Sequence, residues 1–328
     1  MNRIRVGVVG VGHMGQHHAR VYGQHPKADL VAIVDKREET AFRVAKANRG
    51  VDALRDHRDL VDRVDAVSIA VPTTLHYPVA RDFLEKGVHV LLEKPMTATA
   101  AEASELIEIA RAHHAILQVG HIERFNAAIQ QFHKIALTPV FIEGHRLGPF
   151  DPRVRDIDVV MDLMIHDLDI ILNLVRSPVT SVEAVGCPVL SDRVDIANAR
   201  LHFENGCIAN LTASRVTPKK QRKIRIFQKN AYVSIDYAKP AMETYRLEPD
   251  PDAKPGQPEF KIVRKVERLK KEEPLKAEID HFLDCVERGV EPQVKGEHAQ
   301  DALQLAVEIS NMIMEDFNDR AAYLHRGG

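Results

Sequence analysis

The feature that most constrains this chain is a set of three spaced glycines at the end of its first apolar stretch. Ile4-Arg5-Val6-Gly7-Val8-Val9 reads as a short buried strand, followed at once by Gly10-Val11-Gly12-His13-Met14-Gly15, a complete G-x-G-x-x-G. Each glycine answers a separate demand: a tight strand-to-helix turn, close approach of backbone to a pyrophosphate, and close packing of helix on strand. The helix beginning there offers unpaired N–H groups and its positive end to phosphates. Glycines also occur in turns that bind nothing, so the context matters. Asp35 closes the next apolar run, about twenty residues on, where an acidic side chain accepts hydrogen bonds from an adenosine ribose. Strand, turn, helix and acid together predict a dinucleotide site at Gly10, Gly12, His13, Met14, Gly15 and Asp35.

Further β-branched runs lie at Leu30–Val34, Ala66–Val71 and Val88–Leu92, with helix-like stretches at Gly15–Gln24, Glu38–Asn48, Pro78–Lys86 and Ala100–Ala112. Near-continuous apolar strands alternating with amphipathic helices predict an α/β fold, a doubly wound parallel sheet of the Rossmann type, over residues 1–120. From about His121 the pattern changes. A helical segment, Val159–Val175, precedes strand-like runs at Ser181–Gly186, Ile196–Phe203, Cys207–Arg215, Lys223–Phe227 and Tyr232–Asp236. Strands in succession predict a large, mostly antiparallel sheet in an α+β domain over 121–328. Residues 248–258 read as an exposed loop, and a helix is expected around Ala299–Glu315.

Composition narrows the function. Lys plus Arg is 45 and Asp plus Glu is 47, a formal net charge of −2, which argues against a nucleic-acid partner. Hydrophobic residues at 45% and charged residues at 28% exclude a long disordered chain. Cys187, Cys207 and Cys285 are too few and too scattered for a disulfide framework or a thiolate zinc cluster. With neither a secretory signal nor an uncharged apolar stretch of roughly 18 residues, the expectation is a cytoplasmic protein without a membrane partner.

At the carboxyl ends of two strands stand Val71-Pro72-Thr73-Thr74-Leu75-His76 and Leu91-Leu92-Glu93-Lys94-Pro95. That edge of an open α/β sheet faces the ligand crevice, so Pro72, Thr73 and His76 are expected beside the cofactor, along with Glu93 and Lys94. Thr73 or Thr74 could equally be a helix N-cap, and Lys94 alone could be a solvated loop charge. The Asp35 carboxylate repels a 2′-phosphate and favours NAD over NADP, although Lys36 and Arg37 are cations that could accept one. Lys36 is counted with the cofactor residues.

Taken together, the glycine turn, Asp35, the Pro72 turn and Glu93-Lys94-Pro95 resemble the Gfo/Idh/MocA oxidoreductases, named for glucose–fructose oxidoreductase and inositol dehydrogenase. The likeness continues through Asp162-Leu163-Met164-Ile165-His166, Glu278-Ile279-Asp280-His281-Phe282 and the helix from Glu297. It implies NAD as cofactor, a sugar as substrate, Lys94 in the active site, and an assembly of two or four copies. Asp162 and His166 lie four apart on one predicted helix face, with Asp169 a turn further on. Alone they read as a half-buried helix surface, and no accompanying motif makes them a metal site. The resemblance makes His166 the general acid/base, Lys94 the hydrogen-bond donor to the reacting oxygen, and Asp162 a positioning group. A histidine of ordinary pKa near 6.5 suits that proton transfer.

Gly120-His121-Ile122-Glu123-Arg124-Phe125-Asn126 resembles the family's entry to the sugar pocket, with Arg124 and Asn126 as contacts. Arg146, Arg153 and Arg155 could pair with a diphosphate, or be surface charges balanced by Asp151, Asp156 and Asp158. The run Lys219-Lys220-Gln221-Arg222-Lys223 reads as a solvated hairpin turn. Within the family the likeness is greatest to members that oxidise the 3-hydroxyl of UDP-N-acetylglucosamine, whose product passes to an aminotransferase on the way to a lipid A diamino sugar. An inositol or aldose dehydrogenase is the alternative. A non-catalytic NAD- and sugar-sensing regulator is another, which retention of Lys94 with His166 argues against.

Overall fold

The computed structural model describes residues 3–132, 138–154, 156–237, 241–253, 258–269 and 272–326. By its contacts the chain divides into two compact units, Met1–Phe125 with Glu272–Gln304, and Asn126–Lys271 with Leu305–Gly328. The sequence expectation ran the second domain unbroken to the C-terminus; the structure returns Glu272–Gln304 to the first unit.

The first unit alternates β1 (Ile4–Val9), α1 (Gly15–Gln24), β2 (Ala28–Val34), α2 (Glu38–Ala47), β3 (Asp52–Leu54), β4 (Ala66–Ile69), α3 (His76–Leu84), β5 (His89–Glu93), α4 (Ala100–Ala112) and β6 (Leu117–Gly120). The strands pair in parallel in the order β3-β2-β1-β4-β5-β6. Strand order reverses between β1 and β4, which places the ligand crevice at the carboxyl ends of these two strands. Val6, Val8, Val67, Ile69, Val90 and Leu91 are buried at 0% exposure, as strands covered on both faces require. Sharp ends come from caps. Thr99 Oγ1 accepts the Glu102 N–H while Glu102 Oε2 accepts the Thr99 N–H, a complete capping box at the start of α4.

The return segment explains itself by packing. Along α7 (Pro274–Arg288), Leu275, Ile279, Phe282 and Leu283 fall on one face and join Ala19, Val21 and Tyr22 of α1 in a single apolar cluster. Gly289 at φ +61° ends α7 in the left-handed conformation that glycine favours. The last helix, α8 (Gly296–Arg326), extends well beyond the expected Ala299–Glu315.

The second unit holds α5 (Ala127–Phe132), β7 (Phe141–Leu147), α6 (Ile165–Val175), β8 (Val179–Cys187), β9 (Ile196–Phe203), β10 (Ile208–Ser214), β11 (Gln221–Gln228), β12 (Ala231–Asp236), β13 (Ala241–Pro249) and β14 (Phe260–Arg268). The eight strands order as β14-β13-β12-β11-β7-β10-β9-β8, antiparallel except for the parallel pair β7 and β10. One face is apolar, with Ile142, Ala199, Leu201, Leu211, Ile224 and Ile235 buried. The other is polar, where Arg200 bonds Asn210, Asn198 bonds Thr212 and Arg225 bonds Glu143. Because β7 lies between β10 and β11, the connection from Ser214 to Gln221 crosses over β7. The basic run is therefore not a hairpin turn, and its residues 221–223 already belong to β11.

Candidate active site

The three glycines of the first turn have three different surroundings. Gly10 sits at φ +81°, and a Cβ there would lie 2.8 Å from the Ala70 carbonyl carbon and oxygen. At Gly15 a Cβ would fall 1.8 Å from the Gly10 oxygen, so the start of α1 presses on the end of β1. Gly12 differs, because a Cβ there meets nothing within 4 Å. The fold has no need of glycine at position 12, and the space over the turn there is open. Met14, the cap residue of α1, contributes no side-chain bond, and the first turn carries no acid. That helix end is thus left for an anion. His13 is exposed, edge-on to His17 at 5.5 Å, and Met14 is half-buried.

Beside the turn lies a cleft of about 510 Å³ lined by Gly10, Gly12, Asp35, Lys36, Arg37 and Pro72 among others, a size ordinary for a cofactor site. Asp35 is 8% exposed. Its Oδ2 accepts the Val11 N–H at 3.0 Å and its Oδ1 the Arg37 N–H at 2.9 Å, so the carboxylate ties the end of β2 to the glycine turn. Arg37 Nε stands 3.5 Å from Oδ1. The guanidinium thus faces the acid, while Lys36 is exposed on the cleft wall. These residues fit NAD: phosphates over Gly12 and the α1 terminus, ribose hydroxyls on Asp35.

This arrangement predicts a contrast between two glycines. Gly12→Val should leave the thermal midpoint nearly unchanged and weaken NAD binding at least ~10-fold, because the new side chain meets phosphate rather than protein. Gly15→Ala should lower stability by about 1–3 kcal/mol through overpacking. Calorimetry of both variants checks the pair, and equal thermal losses would contradict it.

On the other side of the switch point, Pro72 precedes a short 3₁₀ turn, Thr73–Leu75. The cap position of α3 is Leu75, which makes no side-chain cap bond, so neither Thr73 nor Thr74 serves there. His76 is buried, its Nδ1 2.9 Å from the Pro95 oxygen and its Nε2 2.9 Å from the Val71 oxygen. It pins together the two loops that carry Pro72 and Lys94. Burial pushes the His76 imidazole below its ordinary pKa, against the pull of the carbonyl bonds and of Glu93. Lys94 is half-buried after β5, and the Lys94–Pro95 peptide is cis. Glu93 is 9% exposed, with Oε1 2.9 Å from His18 Nε2 and Oε2 accepting the Lys94 N–H at 3.3 Å.

In the second unit the expected single helix over 159–175 is wound in two ways. Val160–Met164 forms a π-helical turn, and α6 continues from Ile165. Such turns recur at functional sites. Asp158 stabilises the start, its Oδ1 accepting the Val160 and Met161 N–H groups at 2.8 and 2.9 Å. Asp162 is thus in the π turn and His166 in the first turn of α6, both half-buried. Next to His166 in the chain, Asp167 forms a two-point ion pair with Arg146 of β7, at 2.9 and 2.8 Å. Both side chains are at most 4% exposed. Arg146 therefore anchors α6, rather than standing among surface charges.

The expected sugar contacts have partners of their own. Arg124 is 1% exposed, and its Nη2 donates to the Gln293 oxygen at 3.0 Å, inside the first unit. Asn126 Oδ1 accepts the Ala128 N–H at 3.0 Å at the start of α5. Arg155 and the side chain of Arg153 lie outside the described residues. Sequence reasoning missed His18, Asp158, Arg146 as a helix anchor, and Glu278, which is buried at 0% exposure. His18 and Arg146 meet partners distant in sequence, Glu93 and Asp167, and the Glu278 carboxyl has no hydrogen-bond partner among the described residues; only the placement of Asp158 before an apolar helix was a readable signal. Among the described residues no helix is long and apolar enough to cross a membrane, and no group of three or more His, Cys, Asp or Glu side chains is placed to hold a metal ion.

Comparison with known proteins identifies the family and the fold. A family model described as "Oxidoreductase family, NAD-binding Rossmann fold" matches residues 4–121, and one for the Gfo/Idh/MocA C-terminal domain matches residues 119–234. UDP-N-acetylglucosamine 3-dehydrogenase from Acidithiobacillus ferrooxidans is 39% identical over 292 residues, 87% of this chain and 90% of that protein. A crystal structure of the enzyme of that name from the same organism superposes with a TM-score of 0.88 at 36% identity, covering 95% of this chain and 98% of that one. Myo-inositol 2-dehydrogenase from Thermotoga maritima is 26% identical over 331 residues, 95% of this chain and 97% of that protein.

Proposed function

Because this chain belongs to the Gfo/Idh/MocA family of NAD-binding oxidoreductases, we propose that it oxidises the 3-hydroxyl of UDP-N-acetylglucosamine to a ketone. The observation that carries the substrate is the likeness to the Acidithiobacillus ferrooxidans enzyme, sustained along nearly the whole of both chains. NAD, when bound, supplies the acceptor for the carbinol hydride. The protein's share is proton transfer and charge stabilisation. His166 accepts the hydroxyl proton on a ring nitrogen, and the Lys94 ammonium donates a hydrogen bond to the oxygen as it becomes negative. Asp162, one turn before His166, orients a neighbouring hydroxyl of the sugar. The ion pair of Asp167 with Arg146 holds the His166 backbone in place.

A 3-keto nucleotide sugar is a substrate for an aminotransferase, so the partner reaction we infer is amination towards a diamino sugar such as that of lipid A. We place the enzyme in the cytoplasm, which suits its three free cysteines, and infer a homodimer or homotetramer. The test is to incubate the protein with NAD and UDP-N-acetylglucosamine, myo-inositol or free aldoses, trapping any ketone with an aminotransferase and an amine donor. The expected result is NADH formation with kcat/KM for the UDP-sugar at least ~100-fold above the others, since unpaired polar contacts penalise the smaller substrates. A preference for inositol would overturn the substrate. NAD binding without turnover on any sugar would favour a sensor.

A further inference from the structure

Behind Lys94 the first unit buries a chain of polar side chains that cofactor binding does not explain. Tyr22 and His18 project from α1, Ser68 from β4 and Glu93 from β5, none more than 9% exposed. The Tyr22 hydroxyl lies 2.9 Å from Ser68 Oγ, Ser68 Oγ 3.1 Å from His18 Nδ1, and His18 Nε2 2.9 Å from Glu93 Oε1. The contacts are satisfied in one direction: the Tyr22 hydroxyl donates to Ser68, Ser68 to Nδ1, and the Nε2–H to the carboxylate. Gly120 of β6 makes room, since a Cβ there would stand 3.2 Å from both Glu93 Cδ and Oε2.

A second carboxyl, Glu278 of α7, has no exposure, and among the described residues neither of its oxygens has a hydrogen-bond partner. The two acids therefore divide. Burial, with the Glu93 charge added, drives Glu278 well above the usual carboxylate range, so it keeps its proton. Burial also pushes Glu93 upward, but the hydrogen bond from His18, the positive charge of Lys94 and the Lys94 N–H outweigh it and leave Glu93 below the usual range. Tyr22, raised by burial, stays a phenol. His76 faces Glu93 from α3 and is held neutral by its own burial. The cluster thus carries one localised negative charge, on the residue before Lys94.

We propose that His18 is a positioning residue for the dehydrogenase reaction: it fixes the Glu93 carboxylate, whose charge keeps the Lys94 side chain an ammonium ion in the assembled site. The proposal rests on the role assigned to Lys94 above. A closed site needs such a counter-charge, because an oxidised nicotinamide is cationic and substrate displaces water, and both drive a lysine towards its neutral form.

The experiment reads Lys94 directly. Competitive acetylation of the full-length protein is followed over a pH series by mass spectrometry of the Lys94 peptide, with and without NAD. Glu93→Gln, which keeps shape and removes charge, is expected to lower the Lys94 titration midpoint by about 1 unit, as losing a nearby opposite charge does. His18→Ala should shift it the same way, and the alkaline limb of kcat/KM should move with it. Glu278→Gln should leave the midpoint in place, since that acid is already neutral. An unchanged midpoint in Glu93→Gln with normal NAD binding would overturn the proposal, as would a drop in Glu278→Gln matching that of Glu93→Gln. The labelling needs no turnover, so it stands apart from whether Lys94→Ala keeps activity.

Discussion

Replacing Lys94 with alanine is expected to lower kcat by about 10²–10³-fold, the usual cost of removing a donor aimed at a developing oxyanion. NAD affinity should change less than about twofold, because the residues fitted to the phosphates and ribose are Gly12, the α1 terminus and Asp35. Lys94 follows β5 on a separate loop, held by His76 through the Pro95 and Val71 carbonyls. Steady-state kinetics with calorimetric NAD titration separates the two effects. Turnover within about tenfold of the parent would remove Lys94 from the chemistry, since such a change is only about 1.4 kcal/mol. His166→Ala should show the same signature, with turnover reduced about 10²–10⁴-fold through loss of the proton acceptor.

The largest expected loss of stability lies elsewhere, at Asp195 in the second unit. This residue is 0% exposed and gathers donors from a whole loop. Its Oδ2 accepts the N–H groups of Val189, Leu190 and Ser191 at 2.8, 2.6 and 2.8 Å, and its Oδ1 accepts the Ser191 hydroxyl at 2.8 Å and Arg215 Nε at 2.7 Å. Arg215 Nη1 then donates to the carbonyls of Val154 and Ile157, at 2.9 and 2.6 Å. Asp195→Ala strands a buried guanidinium and three backbone donors, and should cost about 3–5 kcal/mol. Burial alone would raise this carboxyl, but the amides of Val189 and Leu190, with Arg215 and Ser191, hold it far below the usual range. Its stabilisation is therefore complete above an unfolded carboxylate pKa of about 3.9 and lost as pH falls below that value. Urea unfolding at neutral and acid pH measures both effects. A loss under about 1 kcal/mol at neutral pH would show that the loop repacks.

Much of the first unit was legible because strands buried on both faces are continuous apolar runs, and Val6–Val9 or Val90–Leu92 have no other reading. The strands that escaped are those whose pattern is diluted. β3 has only three residues, and β6 has Gln118 and Gly120 at buried positions. In the second sheet β7 interleaves Glu143, Gly144 and His145, and β14 is charged along most of its length. The edge position of β14 tolerates such composition, because one side of the strand carries no partner, whereas β7 lies between β10 and β11 and alternates because one face of the sheet is polar.

The cofactor turn was readable because glycine leaves a mark where backbone must approach closely. Lys94 was readable from its place at a strand end. The residues behind them were not. His18 meets Glu93 from 75 positions away, and nothing local distinguishes it from His17. Charge near a motif is also hard to read: Arg124 reads as a ligand contact, and the structure buries it with the Gln293 carbonyl among its partners. Arg146 reads as one of three diphosphate cations, yet it is matched to Asp167.

The most direct test of the account uses UDP-N-acetylglucosamine carrying deuterium at C3, incubated with the protein and NAD under the aminotransferase trap. The account predicts that the deuterium appears on the nicotinamide ring of the reduced cofactor, and that the trapped sugar bears its new amine at C3. Protium in the cofactor, or an amine at any other ring carbon, would contradict it.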